Sequence, residues 1–90
     1  MNDITREIYV VFIINDRYTR WEIFNPTDTM QKMYDLLETK YKTGKIMIEI
    51  NEISFLKYLN DYIIYFARDN SITARITTKN RNYKLSKDIF

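Results

Sequence analysis

Four groups of side chains in this chain are candidates for catalysis or binding. The first is a scatter of carboxylates: Glu49 and Glu52 flank a strand-to-helix junction, and Asp61 follows further along. Glycosidase-type work needs two carboxylates held at a defined separation around a cleft. Nothing in this spacing fixes such a pair, so no catalytic residue is expected. The second group is basic. From Arg68 to Phe90 there are six Lys and Arg against two Asp, whereas the preceding 67 residues hold eight basic and ten acidic side chains. Arg75, Lys79, Arg81 and Lys84 form its centre. On a β-ribbon with hydroxyls and asparagines they would contact phosphates, or equally an acidic protein surface. On a plain edge hairpin the same lysines would only discourage strand-to-strand aggregation.

The third group is aromatic. Tyr58, Tyr62 and Tyr65 recur at i, i+4, i+7, the spacing of one helical stripe, and Ile64 falls outside the apolar arc beside them. Tyrosine offers large rigid area with a polar tip and is enriched where proteins meet. These four residues are therefore the candidate partner-binding surface, including a homodimer. The alternative is a buried helix whose tyrosine hydroxyls reach water at its margin. Arg17, Arg20 and Trp21 make a fourth group, of hot-spot residue types. Here the simpler reading is that Trp21 belongs to the core, with Arg20 opposite it across the strand.

What the chain lacks narrows its chemistry. It contains no His and no Cys, so the usual zinc, copper and haem ligands are missing. The commonest general base and the thiol nucleophile are missing with them. One Gly in the whole chain rules out a glycine-rich phosphate loop. The expectation is a non-enzymatic protein with no cofactor and no metal. The start of the chain does not have the pattern of a signal peptide, and the apolar run Ile8 to Ile14 is too short to cross a bilayer. A cytoplasmic protein without membrane contact is expected.

These groups depend on the elements that would position them. Ninety residues, 46% apolar and 16% aromatic, suit one domain spanning 1–90. Ile8, Val10, Phe12 and Ile14 alternate with Tyr9, Val11 and Ile13, apolar on both faces. That predicts a central strand covered twice, or one whose second face meets a partner. Asn15 and Asp16 turn it into a return strand, Tyr18 to Phe24. Asn25, Pro26 and Asp28 open a helix that Gly44 closes, with Met30, Met33, Tyr34, Leu37 and Tyr41 on its core stripe. Ile46 to Ile50 alternates as a strand. A second helix is expected from Glu52 to Arg68, with Phe55, Leu59, Ile63 and Phe66 its most buried set. Ile72, Ala74 and Ile76 mark another strand, and the segment from Thr77 to Lys87 a closing β-hairpin with Ile76 and Leu85 inward. The order ββ-α-β-α-ββ predicts an α+β two-layer sandwich, two helices on one face of a mixed sheet. Its β-α-β unit would be a right-handed crossover.

Ile, Asn, Lys and Tyr dominate the chain. In this it resembles the small, His- and Cys-poor proteins of AT-rich genomes, many of them from phages and other mobile elements. The resemblance implies an anti-defence role in a host cytoplasm: an inhibitor that docks on a larger host enzyme and blocks it. A DNA mimic would be strongly acidic, and this chain has a net charge of +2. A nucleic-acid-binding module using the basic C-terminal hairpin is the alternative function.

Overall fold

Alternation along the chain builds the first hairpin. The computed structural model describes residues 6–51, 53–54, 59–80 and 82–85. In it β1 spans Ile8–Ile14 and β2 spans Tyr18–Phe24, paired antiparallel from Ile8 opposite Phe24 to Ile14 opposite Tyr18. Asn15 and Asp16 reverse the chain at φ of 53° and 55°, a left-handed pair that short polar side chains tolerate. The Asn15 side chain also donates to Thr78 Oγ1 at 2.8 Å and accepts the Thr78 amide at 2.9 Å. The turn is thereby tied to the last strand.

The helix α1, Met30–Lys40, buries Met30, Met33 and Leu37, and Tyr41 just beyond its end. Its start differs from the expected cap at Asn25. Residues 25–28 close as a turn, the Asp28 amide donating to the Asn25 carbonyl at 3.0 Å and the Asn25 amide to Asp28 Oδ2 at 2.8 Å. Thr29 occupies the cap position without a side-chain hydrogen bond. The first helical amides, which have no partner inside a helix, are satisfied from another segment. Met30 donates to the Asp61 carbonyl at 2.9 Å and Gln31 to the Leu59 carbonyl at 2.8 Å. At the other end Lys42, with φ 53°, is the left-handed residue that follows the helix, while Gly44, with φ 67°, comes later.

Three further strands follow: β3 (Ile46–Ile50), β4 (Ile53–Ser54) and β5 (Ser71–Thr78). The sheet order is β2-β1-β5-β3-β4. β1 and β5 run parallel at its centre, and every other pair is antiparallel. The inward rows of β1, β3 and β5 (Ile8, Val10, Phe12 and Ile14; Ile46, Ile48 and Ile50; Ile72, Ala74 and Ile76) form one core with α1.

The expected two-layer sandwich with two helices on one face, in ββ-α-β-α-ββ order, is not what forms. Among the described residues α1 is the one α-helix. The second helix is replaced by β4, a turn at 59–61 and a single 3-10 turn, Ile63–Phe66. Two local events account for this. Asn51, at φ 54°, reverses β3 into β4. The carbonyls of Leu59 and Asp61 point at α1 instead of into a helical ladder of their own, and Tyr62 forms an isolated bridge with Thr29. Of the expected buried set, Ile63 is fully buried and Leu59 and Phe66 pack partly against the core. Phe55 lies outside the described residues. The expected right-handed crossover between β3 and β5 does not form, because the two strands pair antiparallel, with Ile48 opposite Ile76.

The closing hairpin is also absent among the described residues. β5 ends at Thr78, and the chain turns at Asn80, where the Tyr83 amide donates to the Asn80 carbonyl at 3.1 Å. Tyr83 then reaches the end of α1, its hydroxyl donating to the Tyr41 carbonyl at 2.6 Å and its ring meeting Tyr18 edge-on at 6.1 Å. Ile76 and Leu85 are buried as expected, although no hairpin holds Leu85 there.

Candidate functional site

The sheet has one face under α1 and one open face, and the open face carries the apolar residues that the core does not absorb. β1 sends Tyr9, Val11 and Ile13 outward. The strand registers set Tyr9 beside Ile23, Val11 beside Trp21 and Ile13 beside Thr19. Trp21 is 66% exposed, Ile23 58% and Tyr9 47%. On the other side of β1 the face is polar: Tyr9, Val11 and Ile13 lie next to Ser71, Thr73 and Arg75 of β5. Glu49 of β3 continues it beside Arg75, while Met47, exposed beside Thr77, adds one apolar side chain to that half. A shallow depression lined by Ile13, Glu49, Asn51, Thr73 and Arg75 sits in this polar half. Tyr9 with Ile23 and Val11 with Trp21 thus set large apolar side chains next to one another on this open face.

The expected burial of Trp21 is therefore corrected. β2 alternates with the opposite phase: Tyr18, Arg20, Glu22 and Phe24 face α1, and Thr19, Trp21 and Ile23 face solvent. The inner phase is held by a polar cluster. Glu22 accepts hydrogen bonds from Lys40 Nζ at 2.8 Å and from the Tyr41 hydroxyl. Burial pushes the Tyr41 hydroxyl well above the ordinary tyrosine range, and the bond to Glu22 and its charge push the same way, while Arg20 opposes them. Burial also raises Tyr83, with Tyr18 adding and Arg20 opposing. Through Lys40 and Tyr41 the cluster ties Glu22 of β2 to the end of α1.

Among the described residues the basic side chains stand at separate places. Arg75 projects from the open face and pairs with Asp16 at 3.0 Å. Lys79 lies past the end of β5, its amide donating to the Lys45 carbonyl at 3.1 Å, and Lys84 is exposed beside the buried Tyr83. Arg81 lies outside the described residues. The tyrosine group is likewise rearranged. Tyr62 and Tyr65 are exposed and meet edge-on at 5.5 Å across the 3-10 turn. Ile64 is half-buried and lines a depression with Arg6, Ala67, Asp69 and Asn70. Tyr58 lies outside the described residues. Among the carboxylates, Glu49 is on the open face, whereas the backbone of Asp61 serves α1 on the covered side, and Glu52 lies outside the described residues. Among the described residues no three His, Cys, Asp or Glu gather as a metal site, and no helix is long and apolar enough to cross a membrane.

No known protein family and no curated protein matches this chain in sequence. Its structure is similar to the solution structure of the ubiquitin-like domain of an Arabidopsis thaliana protein. The TM-score is 0.71 over 90% of this chain and 86% of that one, at 12% sequence identity. The fold that replaces the expected sandwich, a mixed sheet with one α-helix among the described residues, is the ubiquitin-like β-grasp.

Proposed function

We propose that this protein is a small non-enzymatic docking module that binds another protein through the open face of its sheet. The observation that carries this reading is the exposure of Trp21, side by side with Ile23 and Tyr9, on a face that nothing among the described residues covers. Tryptophan and tyrosine are the residue types that most often supply the central contacts of an interface. The hydroxyl-rich half of the face, Ser71, Thr73 and Thr77, supplies the polar margin such a contact needs. The fitting partner surface is apolar at its centre and hydrogen-bonding at one side. In the inhibitory form of this reading, which the AT-rich composition favours, docking obstructs a larger host enzyme.

Trp21 is the sole tryptophan, so the face carries its own reporter. A partner is first captured from host lysate and then purified. Titrating it into the protein should shift Trp21 emission to the blue, and Trp21→Ser with Ile23→Ser should weaken binding by a factor of about a hundred or more. Unchanged affinity in that double variant would remove the face from the reading. If DNA or RNA is bound instead, with affinity that falls steeply as salt rises, the nucleic-acid alternative replaces it.

A further inference from the structure

β2 is an edge strand, and the pairing of β1 shows which of its backbone groups point outward. The amides of Tyr9 and Asn15 donate to Asn70 and Ile76 carbonyls, at 2.8 Å each. The odd residues of β1 therefore bond toward β5, and the even ones toward β2. Their partners, Tyr18, Arg20, Glu22 and Phe24, use their backbone groups on β1. The alternate residues Thr19, Trp21 and Ile23 hold theirs outward, as the Thr19 carbonyl shows by accepting Arg20 Nη1 at 2.8 Å. An edge of this length with apolar side chains is a template for another strand.

The geometry points to a second copy of this chain as the occupant, paired β2 against β2 in antiparallel fashion about Trp21. Side chains directly opposite in such a pair lie on the same face. In the Trp21-centred register, Trp21 meets the partner's Trp21, Thr19 meets Ile23, Tyr18 meets Phe24, and Arg20 meets Glu22. Shifting the centre one step along the same face alternation sets Arg20 against Arg20, or Glu22 against Glu22, and like charges directly opposite disfavour pairing. Registers further out shorten the overlap. Arg20 and Glu22 thus act against general edge pairing and in favour of this one. The outward groups of Thr19, Trp21 and Ile23 form about six new backbone hydrogen bonds, the Thr19 carbonyl having a second lone pair for its share. The two open faces become one continuous face, with both copies of Trp21 at its middle. An interface this narrow falls below the roughly 800 Å² per partner of a standard complex, so dissociation in the micromolar range is expected. This pairing does not depend on the docking reading.

Sedimentation equilibrium across a wide concentration range tests it, together with amide hydrogen exchange in dilute and concentrated solution. Wild type is expected to dimerise, with the Thr19, Trp21 and Ile23 amides slowing only when concentrated. Thr19→Pro removes one outward amide without touching the β1–β2 ladder and should leave a folded monomer that still carries Trp21, Ile23 and Tyr9 for any docking partner. Arg20→Glu and Glu22→Arg should each weaken dimerisation about tenfold, and mixing the two should restore it. Because Glu22 also holds Lys40 and Tyr41, these two variants count only if their circular dichroism matches wild type, and Thr19→Pro carries the test if it does not. A wild type that stays monomeric to about 1 mM, or a dimer that Thr19→Pro leaves intact, overturns the pairing. A dimer lost in Thr19→Pro alongside undiminished partner binding supports it and leaves the docking reading standing separately.

Discussion

Tyr83 closes the end of α1 from outside the helix. Its hydroxyl takes the Tyr41 carbonyl at 2.6 Å in a buried setting, where an acceptor stripped of its donor is costly. Tyr83→Phe is expected to lose about 1–2 kcal/mol in urea melts, and Tyr83→Ala about 3–5 kcal/mol, because the ring leaves a cavity as well. Both tyrosines of this contact have folded-state hydroxyls raised above their unfolded value of 10.0. Their contribution is full below that value. It is lost as the pH climbs beyond it, because the unfolded chain releases the protons first. Stability should therefore fall from about pH 10 upward, by at most about 1.4 kcal/mol per pH unit for each tyrosine. Tyr41→Phe should flatten the decline. Trp21 shows where residue-level reading stops. The outward apolar row of β1 was legible from Tyr9, Val11 and Ile13 alone. Trp21 was not, because a tryptophan in a strand reads as core until Glu22 is seen bonded to α1, which fixes the phase of β2.

Turns without glycine mark the elements. Among the described residues Asn15, Asp16, Lys42, Asn51, Asp69 and Asn70 all adopt positive φ, along with Gly44. Lys42 has no short polar side chain to ease that conformation, so Lys42→Gly should raise stability by about 0.5–1 kcal/mol. Asn15→Ala should lower it by about 2 kcal/mol, since both side-chain bonds to Thr78 vanish and alanine fits the left-handed turn poorly. Thermal or urea melts of the two variants should move in opposite directions. β1, β2, β3, β5 and α1 were readable because their periods of 2 and 3.6 are local properties; β4, two residues long inside the expected second helix, was not. The segment from Leu59 to Phe66 was not. Leu59, Ile63 and Phe66 repeat at helical spacing, yet the segment serves the start of α1 with its carbonyls, and a carbonyl's destination leaves no trace in side-chain pattern. The segment also returns an amide of its own, Ile63 donating to the Asp28 carbonyl at 2.8 Å, so loosening it would strip the start of α1 of its partners.

At the scale of the molecule, topology separates this fold from the sandwich that the element order suggested. Parallel pairing of β1 with β5 depends on contacts between residues 9–14 and 71–76, a separation that no local signal encodes. That pairing has a mechanical consequence. The chain enters β1 beside the start of β5 and leaves β5 beside the end of β1. Tension on residues 6 and 85 first peels Tyr83 from α1 and then drags β1 and β5 past each other lengthwise. The rungs from Tyr9–Ser71 to Ile14–Ile76 then share the load and must yield as a group. Tension between residues 7 and 25, at the open end of the β1–β2 hairpin, instead strains one rung at a time. Single-molecule extension should need markedly more force in the first geometry than in the second. Equal forces would mean that the central pair of strands does not bear the load.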